Sequence, residues 1–517
     1  MTQDELIALI DQAAEEGWEE LDLAGKKIRE LPSEIGKLTK LKTLKLGNIK
    51  SWKLLDGRWI PSVDSNNLEK LPKEIEKLEN LRKLNLTGNK LGELPESIFQ
   101  LYRLRHLEAV DVGITIIPER IISLSNLSTL HLGGNQISSV PPLPNLVELY
   151  LTSNQISVIP ETVTELSRLA TLYLDYNQIS EVPRAIAQLK YLDLLYLAGN
   201  KIADISEEIH HLSHLNVLAI HDNCLGNFPE VILELFNLTG LSLSSNQIEV
   251  IPKTIVRLVN LVGITLANNK IKIIPEEISE LSNLRNLYLG YNQIEAIPDT
   301  ISRLLNLKRL FLSNNKIKEI PEAVGHLSQL SELCLSNNEI DRIPLYLESI
   351  KNLKTLDLRD NFLPISPEIL GSAKDDTPGT PEKIFSYIRE LRNGKKRQLN
   401  EAKLLLIGQG SVGKTSLINQ LLFNKFNANE SQTHGLTVTD WEIEANTKKV
   451  RLHVWDFGGQ EIYHATHQFF LTKRSLYILT CNCRTSEDEN RIEYWLKLIQ
   501  SFGGNSPVII VGNKSDE

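Results

Sequence analysis

The residues best suited to do chemistry lie in the last quarter of the chain. Gly408-Gln409-Gly410-Ser411-Val412-Gly413-Lys414-Thr415 is a complete G-x-x-x-x-G-K-[ST] phosphate loop. Gly408, Gly410 and Gly413 let the backbone N–H groups running through Ser411, Val412 and on to Ser416 wrap a β-phosphate. Lys414 neutralises β/γ charge, and the Thr415 hydroxyl coordinates Mg²⁺. Asp456-Phe457-Gly458-Gly459 follows as D-x-x-G, placing Asp456 to hold Mg²⁺ through a water and the Gly459 N–H to contact a γ-phosphate. Asn513-Lys514-Ser515-Asp516 is an N-K-x-D motif. The Asp516 carboxylate accepts hydrogen bonds from the N1–H and 2-amino groups of guanine, a pattern adenine lacks, and a buried carboxylate left unpaired penalises the wrong base. These residues imply GTP and GDP as ligands and Mg²⁺ as cofactor.

The elements that must position them are legible nearby. Lys403 to Ile407 is a short apolar run, the pattern of a buried parallel strand, and Ser416 to Leu422 reads as the helix after the loop. Val450 to Trp455 and Pro507 to Gly512 read as strands delivering Asp456 and the N-K-x-D motif. Thr433-His434-Gly435, between the phosphate-loop helix and the D-x-x-G strand, resembles switch I of small G proteins. That resemblance implies that Thr433 reaches Mg²⁺ and the γ-phosphate. Gln460 occupies the position that orients the attacking water in those proteins, so the implied catalytic set is Gln460, Lys414 and Thr433. His464 and His467 read as exposed loop residues, and none of Arg474, Arg484 and Arg491 is assigned a catalytic role.

The first three-quarters has another grammar. The asparagine of L-x-L-x-x-N recurs at one constant interval through Asn154, Asn177, Asn200, Asn223, Asn246, Asn269, Asn292, Asn315, Asn338 and Asn361. From about Glu20 to Pro364 the sequence is similar to the leucine-rich-repeat family, with about 15 repeats starting at Leu21-Asp22-Leu23. Each repeat supplies a short strand with inward leucines and an asparagine bonded to neighbouring backbone, and stacking supplies the core. Asp4 to Glu16, with Leu6, Ile7, Ile10 and Ala13, reads as a capping helix. A second helix starts at Pro381 with Thr380 as its N-cap. Val112 stands where asparagine is expected, predicting a weaker rung. The step from Asn135 to Asn154 is shorter than the constant interval, predicting a tighter local curve. An insertion around Ser51 to Ser65, with Trp52 and Trp59, reads as a surface excursion pinned by its own tryptophans. Strand positions facing outward run Tyr150, Tyr173, Tyr196, Ala219, Ser242, Thr265, Tyr288, Phe311: two aromatic patches about a small-residue saddle, with Tyr176 and Tyr291 nearby. Tyrosine suits protein interfaces, although β-propensity alone also favours it in strands.

Leucine-rich repeats directly upstream of a Ras-like domain, with Asp456 to Glu461, Tyr463-His464 and His467 to Phe470, resemble the Roco family, whose G domain is called Roc. The resemblance implies a COR domain after Roc, so the sequence is expected to be a fragment of a longer protein that forms a homodimer. The expected fold class is α/β: a leucine-rich-repeat horseshoe joined to an incomplete Ras-like P-loop domain. The expected boundaries are a capping helix at 1–19, a solenoid at 20–372, a linker and connecting helix at 373–398 and Roc at 399–517.

Composition excludes other classes. A net charge of -9 argues against a general nucleic-acid or anionic-membrane binder. No stretch reaches the roughly 20 apolar residues of a membrane span. Four cysteines without a CxxC pair, Cys224, Cys334, Cys481 and Cys483, fit a reducing cytoplasm. Three readings remain: a Roco-type GTPase whose repeats bind a protein partner on their concave face, a scaffold that binds nucleotide with little turnover, and a repeat adaptor that binds none.

Overall fold

The computed structural model describes all residues except 56–57, 373–376, 394–400, 428–435, 446–447, 458–470, 473–474, 505 and 516–517. The chain divides into two compact units, Met1–Leu391 and Arg392–Glu517.

In the first unit each repeat buries its leucines in the same way. Leu172 and Leu174 are fully buried while Tyr173 between them faces out, because successive side chains of a strand alternate. Three-residue strands from Glu20–Asp22 to Thr355–Asp357 pair in parallel, in register, into one sheet of 15 strands among the described residues. The return path is a short 3-10 turn entered from a proline. Pro252, at φ -68°, accepts the Ile255 N–H at 3.0 Å.

Asparagine side chains join repeat to repeat. Asn200 Nδ2 donates to Leu174 O of the preceding repeat at 2.9 Å and to Leu197 O at 3.0 Å, while Oδ1 accepts the Ile179 N–H at 3.0 Å. The same pattern runs from Asn154 to Asn361. The residue before each asparagine turns left-handed, as at Tyr176 (φ 54°) and Tyr291 (φ 55°).

Departures from the period have structural answers. At Val112 the backbone carries the rung: Gly92 N–H donates to Val112 O at 3.0 Å, and Asn135 Oδ1 accepts from Val112 and Ile114. The short repeat lacks the 3-10 turn between strands Thr129–His131 and Glu148–Tyr150, and Asn154 still reaches Leu132 O at 3.0 Å. The insertion is a hairpin, Gly47–Leu55 against Arg58–Ser65. It is pinned by other repeats as well as by itself. A Cβ added at Gly133 would meet the Trp52 ring at 3.1 Å, and one at Gly88 (φ +73°) would meet Val63 and Ser65 at 2.6 Å. The Trp59 side chain lies outside the described set.

Both ends are covered. The helix Gln3–Glu16 opens with a capping box between Thr2 and Glu5 and buries Leu6, Ile10 and Ala13. Ile7, expected inward, is half-buried, and Leu9 packs on the core instead. The helix Pro381–Asn393 sets Ile384, Phe385 and Ile388 into the solenoid core, and Lys383 N–H donates to Thr380 Oγ1 at 3.4 Å.

The second unit is a five-stranded sheet ordered Leu436–Ala445, Lys448–Phe457, Glu401–Ile407, Ser475–Asn482, Val508–Asn513. The first strand runs antiparallel to its neighbour and the others are parallel. Leu405, Leu479, Phe457 and Tyr477 meet Trp495 and Ile499 of the helix Ile492–Gly503. On the other face Leu404, Leu406 and Val454 meet Ile418 of the helix Lys414–Phe423. No helix among the described residues is long and apolar enough to cross a membrane.

Candidate functional site

Three motifs far apart in sequence meet at the C-terminal ends of the parallel strands, where open α/β sheets bind ligands. The strand Glu401–Ile407 runs into the phosphate loop, and the helix Lys414–Phe423 begins at its end. Gly408 (φ +139°) and Gly413 (φ +87°) are required here. A Cβ would meet Thr480 O at 2.3 Å in the first case and Asn513 Nδ2 at 2.2 Å in the second.

Lys414 is buried, and its ammonium donates to Gly408 O and Gln409 O, both at 2.9 Å. Burial lowers its pKa to about 8, against the opposing pull of Asp456. Thr415 Oγ1 donates to Asp456 Oδ2 at 2.6 Å. A hydroxyl and a carboxylate in contact are the hard-oxygen donors that suit Mg²⁺, which takes one or two protein ligands and fills the rest of its shell with water and phosphate. Asn513 Nδ2 donates to Val412 O at 3.0 Å and Gly413 O at 3.3 Å, and Lys514 Nζ donates to Ser411 O at 2.9 Å. The N-K-x-D motif therefore braces the phosphate loop, a role its spacing does not reveal. Ser411 (φ 60°) and Ser416 sit in the same loop and first helical turn. Thr433, Gly459, Gln460 and Asp516 lie outside the described residues, as do His464, His467 and Arg474.

A family model for Roc, the Ras of Complex domain of DAPkinase, matches residues 403–516. Leucine-rich-repeat models match residues 80–101, 144–202, 236–294 and 282–340. A solved leucine-rich-repeat protein of Leptospira interrogans is 32% identical at a TM-score of 0.59, covering 69% of this chain and 94% of that one. The chain is a leucine-rich-repeat protein with a Roc domain. The same pairing places it among Roco proteins. The probable serine/threonine-protein kinase pats1 of Dictyostelium discoideum is 37% identical over 154 residues, 26% of this chain and 5% of that protein. The probable kinase roco5 of the same organism is 32% identical over 196 residues, and the chain spans 7% of its length. Ras-related protein Rab-21 of Geodia cydonium is 32% identical over 117 residues, covering 22% of this chain and 51% of that one. The Roc domain is thus Ras-like.

The repeat sheet carries a second feature. Tyr150, Tyr173 and Tyr196 stand in register on neighbouring strands, with ring centroids 4.9 and 4.1 Å apart and the second pair nearly parallel. His131 extends the row at 5.0 Å. Tyr288 and Phe311 form the second patch, edge to face at 4.8 Å. Beside the first patch lies Asp175, 8% exposed, a residue the sequence pattern does not single out.

Proposed function

We propose that the Roc domain binds GTP and GDP with Mg²⁺ and hydrolyses GTP to GDP and phosphate as a molecular switch, with the repeat sheet as its protein-interaction surface. The observation that supports this best is the convergence of Lys414, the Thr415–Asp456 pair and the Asn513–Lys514 brace on one loop.

In this mechanism the loop amides and the Lys414 ammonium hold the β- and γ-phosphate oxygens and stabilise the charge that gathers on them. Thr415 and Asp456, joined by Thr433, would hold Mg²⁺, which supplies further charge neutralisation at those oxygens. Gln460 orients a water in line with the γ-phosphorus. The water oxygen–phosphorus bond forms as the bridging bond to the β-phosphate breaks; GDP leaves with the electron pair, and the water's proton ends on inorganic phosphate. No covalent enzyme intermediate forms. Asp516 selects guanine. The free cysteines suit a reducing cytoplasm, and the whole protein is proposed to act as a homodimer.

Single-turnover hydrolysis on the full-length protein tests this reading. Gln460→Leu should slow hydrolysis about tenfold or more while nucleotide still binds. Lys414→Ala should weaken binding by about tenfold or more, the scale of a lost charge-assisted hydrogen bond. Unchanged hydrolysis in both variants would sink the mechanism. Tight binding without turnover in the parent protein would leave the scaffold reading in its place.

A further inference from the structure

The repeat sheet buries one charge that the fold does not answer. Asp175 follows Tyr173 by two positions, so both point outward while Leu172 and Leu174 point in. Its Oδ1 accepts the Ala198 N–H at 2.8 Å. Burial raises its pKa to about 7 against backbone hydrogen bonds, and no cationic side chain among the described residues contributes to the shift. A buried carboxylate without a counter-cation is unfavourable. None of the strands from His106–Glu108 to Asn286–Tyr288 contains lysine or arginine.

The neighbours of Asp175 are what a cationic side chain requires. The stacked Tyr173 and Tyr196 rings adjoin it, and the row ends because the next residue in register, Ala219, is too small to continue it. Glu148, which accepts the Tyr150 hydroxyl at 3.4 Å, adds a second carboxylate on the neighbouring strand, level with Thr171 and so four residues along from Asp175. That separation is about 14 Å, within reach of side chains four residues apart on an extended chain that rises about 3.3 Å per residue.

We propose that the Tyr173–Tyr196 stack and the Asp175 carboxylate recognise an arginine or lysine side chain of an extended segment of a partner protein. The ammonium or guanidinium lies against tyrosine and pairs with Asp175. This narrows the reading of the concave face as a protein-interaction surface, and rests on it.

The test titrates the full chain with a fluorescein-labelled peptide of alternating glycine and arginine, following anisotropy at physiological ionic strength. The same peptide with citrulline, an uncharged isostere, is the reference. The arginine peptide should bind about tenfold tighter than the citrulline one. Asp175→Asn, which keeps an acceptor for Ala198, and Tyr196→Ala should each remove most of that difference. Tyr196→Phe should retain it, and reports on the stack should the alanine variant fail to fold. Glu295→Gln, at an exposed acidic position off the strands, should change nothing. An equal loss from Glu295→Gln reduces the effect to diffuse charge and overturns the proposal. Equal binding of citrulline and arginine peptides, still sensitive to Tyr196, overturns the cation site while leaving the interaction surface standing. Indifference of every peptide to every concave substitution removes that surface as well. Free spermine binding more tightly than the peptide reassigns the site to a polyamine and likewise overturns it.

Discussion

Asp175 and Lys414 are both buried, both ionisable and both shifted by desolvation, yet only one is readable from its surroundings in sequence. Lys414 stands at a fixed offset from three glycines, so its spacing announces a phosphate ligand. Asp175 is a single acid among strand residues, and only the register that brings Tyr196 and Ala198 beside it gives it meaning. Its pKa, raised from 3.8 to about 7, has a signed consequence for stability. Above pH 7 the carboxylate is ionised folded and unfolded, and the folded state bears the full burial penalty. Between pH 7 and about 4 the folded state takes up a proton that the unfolded state does not, so the penalty fades as pH falls. His131 runs the other way: burial lowers its pKa to about 4, and the stability of its neutral form is lost as pH falls from 6.5. Comparing Asp175→Asn with the parent cancels the histidine. The variant should show a higher urea midpoint at pH 8 and a vanishing difference at pH 4. Equal midpoints at pH 8 would mean that the carboxylate is solvated.

At the scale of elements, the asparagine ladder is legible because a period held without slippage from Asn154 to Asn361 leaves little choice about what lies behind what. The hairpin is not. Its two strands, Gly47–Leu55 and Arg58–Ser65, have no counterpart in other repeats, and their seating on Gly88 and Gly133 is a contact across the period. The Val112 rung is hidden for a related reason: the pattern shows the missing side chain and conceals the backbone amides that compensate. Asn200 offers the sharper test, since its side chain answers Leu174 O, Leu197 O and Ile179 N–H at once. Asn200→Ala strands these buried groups, each worth roughly 1–3 kcal/mol when left unpaired. Partial relaxation like that around Val112 should hold the total near the low end, at about 3 kcal/mol. Chemical denaturation would read this as a lower midpoint with the slope unchanged. A loss under about 1 kcal/mol would show that water or backbone replaces the side chain as readily as at Val112.

For the whole molecule, the two units differ in what stabilises them. Met1–Leu391 is a one-dimensional stack in which each repeat leans on its neighbours and both ends carry helical caps, so its stability belongs to the array. Arg392–Glu517 has two modest cores about one sheet, and its phosphate loop holds a desolvated Lys414 that phosphate charge would compensate. A ligand that binds the folded state alone stabilises it by mass action, about 2.7 kcal/mol at one hundred times its Kd. Calorimetry of the full chain should therefore show two transitions. Saturating GDP with Mg²⁺ should raise the one assigned to the Roc domain and leave the solenoid transition in place. Lys414→Ala should cut the ligand-induced shift by about half or more, as a tenfold weaker affinity requires, and Asn200→Ala should lower the solenoid transition without altering that shift. ATP with Mg²⁺ should have no comparable effect if Asp516 reads the base as proposed. A shift equal for ATP and GDP would leave the phosphate loop intact as a site and remove the guanine assignment.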